Sequence, residues 1–432
     1  MTIKNIIVGG LLFAGVSALA QAQTVAEMAS QIEPEVIQWR HYLHQHPELS
    51  NREYETAKYL AKYLKDLGLE VQTGVAKTGV VAILDSGKPG PVVGLRADID
   101  GLPVKELNSL PYRSEAIGEY RGEKVPVMHA CGHDTHMAML MGAAKILVAQ
   151  KDQLKGKVKF VFQPAEEGAP NGEEGGAELM VKEGVLKNPN VDVMFGLHIN
   201  SATDVGTVKY RAGGIMAAVD TFKIVIKGRQ AHGAYPWKSV DPVVTSAQMI
   251  MALQTIVSRE LTVIDDGAVV TVGIIKGGNR SNIIPEEVTL EGTIRTLNPA
   301  ARTLIHEAMH RKVKAIAESM RASAELILPY GPAYPITYND PSLMQQMLPT
   351  LVRTAGNEHV KEAKAVTGAE DFSFFQTQVP GLYLFVGGKP LAVAEADAPP
   401  HHTPDFYVDD SGMKLGVEVL TNLTMDYMNK AN

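Results

Sequence analysis

Short apolar segments alternate with segments of helical periodicity in the first half of the chain, and this alternation strongly limits the folds that it can adopt. Runs typical of buried strands occupy residues 80–84, 92–98, 157–162 and 191–198. Apolar residues recur at helical spacing in residues 25–43, 53–67 and 135–148. Strands that alternate with helices predict an α/β fold with a mainly parallel central sheet.

The pattern changes near residue 206, where the predicted order becomes strand, helix, two strands, helix and strand. These elements occupy residues 217–228, 241–259, 269–275, 288–297, 300–320 and 324–328. Their order is that of a small ferredoxin-like α+β domain. A helix, a strand and a helix follow at residues 342–355, 381–387 and 411–428. We therefore expect the small domain to interrupt the larger one.

Two domains are predicted, because 432 residues exceed the size of one comfortable core, and with the leader and the interruption they give four segments. They are a signal peptide (1–22), the first part of the larger domain (23–208), the inserted ferredoxin-like domain (209–327) and the second part of the larger domain (328–432). Lys4, the apolar residues 6–20 and the small residues after them form the pattern of a cleavable signal. We expect a secreted, periplasmic protein. A membrane anchor is the alternative, but the apolar run is shorter than the roughly 20 residues that span a bilayer.

Composition argues against a nucleic-acid partner and excludes an internal disulfide. The formal net charge is −7, and no stripe of basic and aromatic residues occurs, so we expect no nucleic-acid partner. The chain has one cysteine, Cys131, and can form no internal disulfide. In an oxidising compartment Cys131 would be open to oxidation unless a metal held it.

Cys131 and His133 are separated by one glycine, so a thiolate and an imidazole of one loop can bind the same metal ion. The other ligands must come from elsewhere in the chain. Candidates are Glu166 and Glu167, His198, and the pair His401 and His402. Nearly all of these candidates follow a predicted strand, where ligands usually bind in such sheets. Together they indicate a hydrolytic metalloenzyme.

The adjacent residues Glu166 and Glu167 suggest a division of labour. Two neighbouring carboxylates on a loop do not easily face the same direction, so one can bind metal while the other stays free. A free carboxylate can take the proton of a metal-bound water, whose pKa falls to about 7, and later give it to a leaving nitrogen. This division suits amide hydrolysis.

Five further residues have functional and structural alternatives. Asp98 and Asp100 end a predicted strand on one face, where they bind metal, orient a ligating histidine or shape a turn. His232, in a loop bounded by Gly and Pro, is either functional or a surface histidine. Asn282 and Arg295 are candidates to hold a substrate carboxylate, although Arg295 equally suits a solvated strand end.

Seven motifs occur in order along the chain: Arg-Ala-Asp-Ile-Asp-Gly-Leu-Pro, His-Ala-Cys-Gly-His-Asp, Gln-Pro-Ala-Glu-Glu-Gly, Gly-Leu-His, Ala-His-Gly-Ala-Tyr-Pro, Gly-Ala-Glu-Asp-Phe and His-Thr-Pro-Asp-Phe. With them the chain resembles the aminoacylase and glutamate-carboxypeptidase-like metallohydrolases. Within that family it is similar to the branch of hippurate hydrolases and auxin-conjugate amidohydrolases. The resemblance covers nearly all of the chain after the leader. It implies a metallopeptidase-like catalytic domain interrupted by a dimerisation domain.

The resemblance implies a site with two divalent metal ions. The implied ligands are Cys131, which bridges the ions, His133, Glu167, His198 and His402. Glu166 would be the general base and then the general acid in hydrolysis by metal-bound hydroxide, and His401 a neighbour of the site. The wider family has a ligand histidine where Asp98 stands here, and this departure argues against Asp98 as a ligand. Asp100 is assigned an orienting role only. Manganese is the usual metal of the branch, although zinc, cobalt or nickel can occupy such ligands.

The implied reaction cleaves the amide of an N-acyl amino acid, with an acetyl, benzoyl or longer acyl group, into a carboxylic acid and a free amino acid. The resemblance also implies a homodimer or homotetramer in which His232 of one subunit stabilises the oxyanion in the site of the other. A metallo-dipeptidase or carboxypeptidase is the alternative enzyme. A non-catalytic periplasmic binding protein is the alternative of another class. No membrane partner is expected after signal cleavage.

Overall fold

The computed structural model describes residues 23–430 apart from 263, 265, 266 and 332, so the predicted signal peptide, residues 1–22, lies outside the described residues. The helices are α1 (Val25–Gln45), α2 (Tyr54–Asp66), α3 (His133–Ala149), α4 (Gly176–Lys182), α5 (Pro242–Arg259), α6 (Pro299–Ser319), α7 (Pro341–Ala355), α8 (Ser373–Gln376) and α9 (Gly412–Lys430). The strands are β1 (Glu70–Val75), β2 (Gly79–Asp85), β3 (Val92–Asp98), β4 (Ile117–Tyr120), β5 (Glu123–Pro126), β6 (Lys157–Gln163), β7 (Val193–Asp204), β8 (Val208–Tyr210), β9 (Gly213–Met216), β10 (Ala218–Lys227), β11 (Ala231–His232), β12 (Ala268–Gly277), β13 (Ile283–Ile284), β14 (Glu287–Thr296), β15 (Ser323–Ile327), β16 (Thr337–Asn339), β17 (Val360–Glu362) and β18 (Gly381–Lys389).

The larger sheet has the strand order β1-β2-β6-β3-β7-β18-β8-β17. Its central strands β6, β3, β7 and β18 run parallel to one another. Antiparallel pairing is limited to the outer strands, where β2 joins β1 and β6 on one side and β8 joins β18 on the other. The predicted α/β fold with a mainly parallel sheet is confirmed.

Helices cover both faces of this sheet, which explains why its strands read as continuous apolar runs. One face packs against α1, α3 and α9, and its buried residues include Leu95, Phe160 and Phe195. Alternate strand residues point to the other face, where Val161 and Met194 pack near α4 and α8. Every residue of β3 is buried. The parallel arrangement brings the carboxyl ends of β3, β6 and β7 to one edge.

The smaller sheet has the order β12-β14-β10-β15, and all its pairs are antiparallel. Helices α5 and α6 pack against it around Phe222, Ile224, Leu253 and Ile305. The short strands β11 and β13, which are about 50 residues apart in sequence, form a separate two-stranded antiparallel sheet. The domain boundaries 209 and 327 and the role in dimerisation stay predictions.

Three helices begin with the same local signal, an Asp or Asn cap followed by proline. Asp241, Asn298 and Asp340 each accept a hydrogen bond from a backbone N–H group of the first turn of α5, α6 and α7. Among the described helices, none is long and apolar enough to cross a membrane.

Candidate metal centre

The side chains predicted to bind metal come together at the carboxyl edge of the larger sheet. Cys131 lies in the loop before α3, and His133 is the first residue of that helix. Gly132 between them has a φ of 96°, a left-handed conformation that favours glycine. A Cβ atom at this position would lie 2.4 Å from Cγ2 of Ile199. The glycine therefore lets the loop turn tightly against β7.

Three side chains from distant parts of the chain surround the Cys131 thiol. His402 Nε2 lies 3.2 Å and His198 Nε2 3.4 Å from Cys131 Sγ. Glu167 Oε1 lies 3.0 Å from His402 Nε2. Sulfur, imidazole nitrogen and carboxylate oxygen are the ligand types of zinc and related divalent metals. A cysteine in the middle of such a set can contact more than one ion.

His133 offers the clearest sign of a missing partner. Its Nδ1 donates a hydrogen bond to the backbone oxygen of Asp100 over 2.8 Å. Its Nε2 is buried and has no hydrogen-bond partner among the described residues. The nearest carboxylate oxygens are Asp98 Oδ2 at 3.7 Å and Glu166 Oε2 at 3.8 Å. A histidine held in this tautomer presents a free lone pair, which fits a metal ligand.

Asp100 organises the loop after β6. The backbone N–H groups of Glu166 and Glu167 donate to Asp100 Oδ1 and Oδ2, each over 3.1 Å. Ser50 Oγ donates to Oδ2 as well. Asp100 also lies 3.3 Å from Nδ1 of His133, so a single buried carboxylate contacts both parts of the site. Asp100 thereby links the backbone of Glu166 and Glu167 to the ring of His133.

The electrostatics of the site favour a bound cation. Burial, and then the carboxylates Glu167 and Glu166, raise the pKa of the Cys131 thiol well above its usual value. Burial, followed by Glu370 and Glu167, also raises the pKa of Glu166 well above the ordinary range. Burial by itself disfavours protonated His133, but Asp98 and Asp100 raise its pKa to about 10, so a metal ion would displace the proton of Nε2 when it binds. The residues present therefore fit a divalent metal, which would stabilise the thiolate and the carboxylates.

His401 does not share the position of His402. Its Nδ1 donates to the backbone oxygen of Cys131 over 3.1 Å, and its Nε2 accepts from the backbone N–H of Ser201 over 3.1 Å. Burial lowers its pKa to about 3. Both ring nitrogens form hydrogen bonds with the backbone, so His401 connects the Cys131 loop to β7 and has no nitrogen free for a metal ion.

A cavity of about 900 Å³ opens over the candidate ligands. Glu166 lies in its wall, together with Phe385 and the half-buried Arg295. Arg295 donates only to the backbone oxygen of Thr367, at 3.4 Å, and pairs with no carboxylate of the described residues. Its guanidinium is therefore available to a ligand in the cavity.

The structure places His232 and Asn282 elsewhere. Both are exposed and lie close together at the two-stranded sheet of β11 and β13, where Gly233 N donates to Asn282 O over 2.9 Å. Neither residue lines the cavity of its own chain.

Sequence reasoning missed a buried network beside the site. Arg96 donates to Asp98 over 2.7 Å and to Glu370 over 2.8 Å, and the Tyr383 hydroxyl donates to Glu370 over 2.6 Å. His136 Nδ1 lies 2.6 Å from Asp98 Oδ1. Two signals were available: His136 is one helical turn beyond His133, and Glu370 lies in the motif Gly-Ala-Glu-Asp-Phe.

Comparison with known proteins agrees with this geometry. The sequence model of peptidase family M20/M25/M40 matches residues 94–426. Thermostable carboxypeptidase 2 of Saccharolobus solfataricus is 38% identical over 93% of this chain and 97% of its own length. N-acetyl-L-cysteine deacetylase of Bacillus subtilis is 38% identical over 89% of this chain and 86% of its own. The IAA-amino acid hydrolase ILR1-like 2 of Arabidopsis thaliana is 34% identical over 97% of this chain and 94% of its own.

Solved structures show the same fold. The structure of the YXEP protein of Bacillus subtilis, described as a dinuclear metal binding peptidase, is 32% identical and covers 93% of this chain and 99% of its own, with a TM-score of 0.75. The resemblance drawn from the seven motifs is confirmed. The chain therefore belongs to peptidase family M20/M25/M40 and is a metal-dependent amide hydrolase.

Proposed function

We propose that this enzyme hydrolyses N-acyl amino acids to a carboxylic acid and a free amino acid, with two divalent metal ions in each subunit. The proposed ligands are Cys131, His133, Glu167, His198 and His402. The observation that carries the proposal is the buried Glu166 beside the unpartnered Nε2 of His133, in a cavity that also contains Arg295. The names of the deacetylase and of the IAA-amino acid hydrolase support this substrate class.

The metals, when bound, would supply Lewis acidity toward the amide carbonyl and toward a water molecule. Glu166 takes the proton of the attacking water and later delivers it to the leaving nitrogen. Without metal, burial and then Glu370 and Glu167 raise the pKa of Glu166, and bound cations would favour the ionised form that acts as the base. Asp100 accepts hydrogen bonds from the backbone N–H groups of Glu166 and Glu167. In this arrangement Glu167 would bind metal while the carboxylate of Glu166 stays free.

Arg295 is the proposed contact for the α-carboxylate of the substrate. It lies on β14 in the cavity wall, and a guanidinium binds a carboxylate through two parallel hydrogen bonds. A carboxylate contact of this kind favours N-acyl amino acids over simple amides.

His232 and Asn282 are proposed to act on the site of a second subunit. Their exposure at the two-stranded sheet of β11 and β13, away from the cavity of their own chain, supports this arrangement in a homodimer or homotetramer. His232 would donate to the oxyanion, and Asn282 would contact substrate. Manganese is the proposed metal. Export to the periplasm after removal of residues 1–22 is proposed from the apolar leader.

A carboxypeptidase or dipeptidase is the second candidate function. The name of the carboxypeptidase relative favours it, and so do Glu362 and Glu395, because two carboxylates in the cavity wall are suited to a free α-amine. The presence of Glu166 argues against a non-catalytic binding protein.

The test is release of free amino acid by protein that is stripped with chelator and reloaded with Mn²⁺. Substrates would be N-acetyl, N-benzoyl and long-chain N-acyl derivatives of one amino acid, beside the matching dipeptides. Metal-restored release from the N-acyl compounds supports the proposal. A strong preference for the dipeptides would favour the carboxypeptidase or dipeptidase function instead. Tight substrate binding without turnover under any metal would favour a non-catalytic binding protein.

A further inference from the structure

His136 lies at the centre of the candidate site without being one of its expected ligands. It follows His133 by three residues in the first turn of α3, so both rings face the same side of the helix. The side chain is 1% exposed, and its ring centroid lies 5.4 Å from that of His133. Asp98, His133 and His136 each present a ligand atom within 4.8 Å of the others, as a metal site requires.

The hydrogen bonds of His136 argue against metal binding. Its Nε2 accepts from the backbone N–H of Ile199 over 2.8 Å. Because that nitrogen accepts, the ring proton is on Nδ1, which donates to Asp98 Oδ1 over 2.6 Å. The ring therefore has no lone pair left for a metal ion.

The contact with Ile199 secures the strand that carries His198 on its β3 side, while β18 pairs with the same strand on the other side. Pairing of β3 with β7 ends at Arg96 and Gly196, before His198 is reached. Beyond that point the ring of His136 connects to the backbone of β7. The same ring packs edge-on against the ring of His198, with 4.5 Å between centroids.

Asp98 anchors this arrangement from the other side. Its Oδ2 accepts from Arg96 over 2.7 Å, and Arg96 is itself held by Gln163 and Glu370. Both Asp98 oxygens are thereby occupied. A line of hydrogen bonds runs from Arg96 through Asp98 and His136 to Ile199, and so joins β3, α3 and β7.

We propose that His136 is a positioning residue, which uses Asp98 and the backbone of Ile199 to hold His198 Nε2 toward Cys131 Sγ. This inference rests on the proposed metal centre and assigns Asp98 to the support of His136. Loss of such a supporting contact lowers metal affinity about 10- to 100-fold while the ligands stay in place.

The test measures Co²⁺ binding to metal-free wild type, His136→Phe and His136→Gln by competition with a chelating dye. The Co²⁺ absorption spectrum, including the charge-transfer band of the Cys131 thiolate, is recorded at saturation. His136→Phe keeps a buried ring without hydrogen bonds, and we expect about 10- to 100-fold weaker binding and a changed spectrum. His136→Gln keeps an acceptor for Ile199 N–H, and we expect it to restore most of the affinity. All three proteins should bind two ions at saturation.

Other outcomes would contradict the proposal. If both variants bind only one Co²⁺ ion at saturation, His136 would be a metal ligand. If His136→Phe has an unchanged Co²⁺ affinity and spectrum and only a lower Tm, the role of His136 would be limited to packing in the core. If His136→Phe does not fold, His136→Asn replaces it, because the asparagine amide reaches Asp98 but is too short to reach Ile199. Weakened Co²⁺ binding by this variant would support the proposal. Co²⁺ binding equal to that of wild type would overturn it. If wild type itself does not bind two ions, the proposed centre fails rather than the role of His136.

Discussion

His402 Nε2 lies 3.2 Å from Cys131 Sγ, although 271 positions separate the two residues in the sequence. The backbone N–H of His402 also donates to the oxygen of Ala130 over 2.8 Å. His402 has a φ of 65°, a left-handed conformation that is uncommon outside glycine and persists where the surroundings enforce it. A segment that follows the smaller sheet in sequence is therefore held against a loop that precedes it, and the candidate site needs both.

His401 and His402 form a matched pair for testing the metal centre. His402→Ala should lose one metal ion, because its Nε2 faces Cys131 and Glu167. His401→Ala should keep two, because both of its ring nitrogens bond to the backbone. Metal content after dialysis, measured by mass spectrometry, distinguishes them. Equal losses in both variants would mean that the two rings share the metal.

Glu166→Gln should lower kcat by about 10²- to 10⁴-fold, the usual contribution of a positioned general base. Its metal content should equal that of wild type, since glutamine removes the basic oxygen but keeps the size of the side chain. Glu167→Gln is the control and should release metal, because Glu167 faces His402. Metal loss in Glu166→Gln would show that a ligand had been taken for the base.

The central strands can be predicted from sequence because each is buried on both faces. The strand β3 occupies Val92–Asp98, as predicted from its apolar run. The outer strands β8 and β17 escape prediction, since each has three residues and depends on pairing with distant segments. Helix α3 begins two residues earlier than predicted, at His133, because Gly132 turns the chain directly into the helix.

The candidate ligands can be found from sequence because residue type and adjacent glycine or proline mark them. The support around them is harder to find. Arg96 meets Glu370 across 274 positions, and no local pattern tells which carboxylate a buried arginine will contact. The pairing of β11 with β13, which brings the exposed residues His232 and Asn282 together across 50 positions, likewise depends on tertiary packing.

Arg295→Met should raise KM for N-acyl amino acids about 10- to 100-fold, the equivalent of the roughly 1.5–3 kcal/mol of a hydrogen bond to a charged group. The kcat should change little. For N-acyl amino acid amides, which lack the carboxylate, the variant should match wild type. Arg311→Met, on the exposed side of α6, is the control. An equal rise in KM for acids and amides would remove Arg295 from carboxylate recognition.

A second buried network, behind the metal centre, predicts a pH dependence of stability. Asp134 Oδ2 lies 2.8 Å from Arg40 Nε and 2.9 Å from His44 Nδ1. Burial disfavours protonated His44, but Asp134 raises its pKa above the ordinary value. A raised pKa in the folded state stabilises the fold below about pH 6.5, and this contribution is lost as pH rises through the folded pKa.

Asp134→Asn should lower the free energy of unfolding by about 3–5 kcal/mol, because Arg40 is left buried without its main partner. The difference from wild type should shrink as pH rises above 6.5, since the wild type then loses the contribution of His44. Urea unfolding of metal-free protein at several pH values measures both effects. Asp66→Asn, at an exposed pair with Lys62, should change stability by less than about 1 kcal/mol. If the difference in the free energy of unfolding between wild type and Asp134→Asn does not change with pH, His44 does not contribute to it.

Mixing two inactive variants tests whether His232 serves the site of a second subunit. His232→Ala and Glu166→Gln should each be inactive alone, but a heterodimer would contain one site with both residues intact. Random pairing after co-expression predicts recovery of about a quarter of wild-type activity. If His232 instead served its own chain, every site in the mixture would lack one of the two groups, and no activity would return. The exposed position of His232, away from the cavity of its own chain, is the reason to expect recovery.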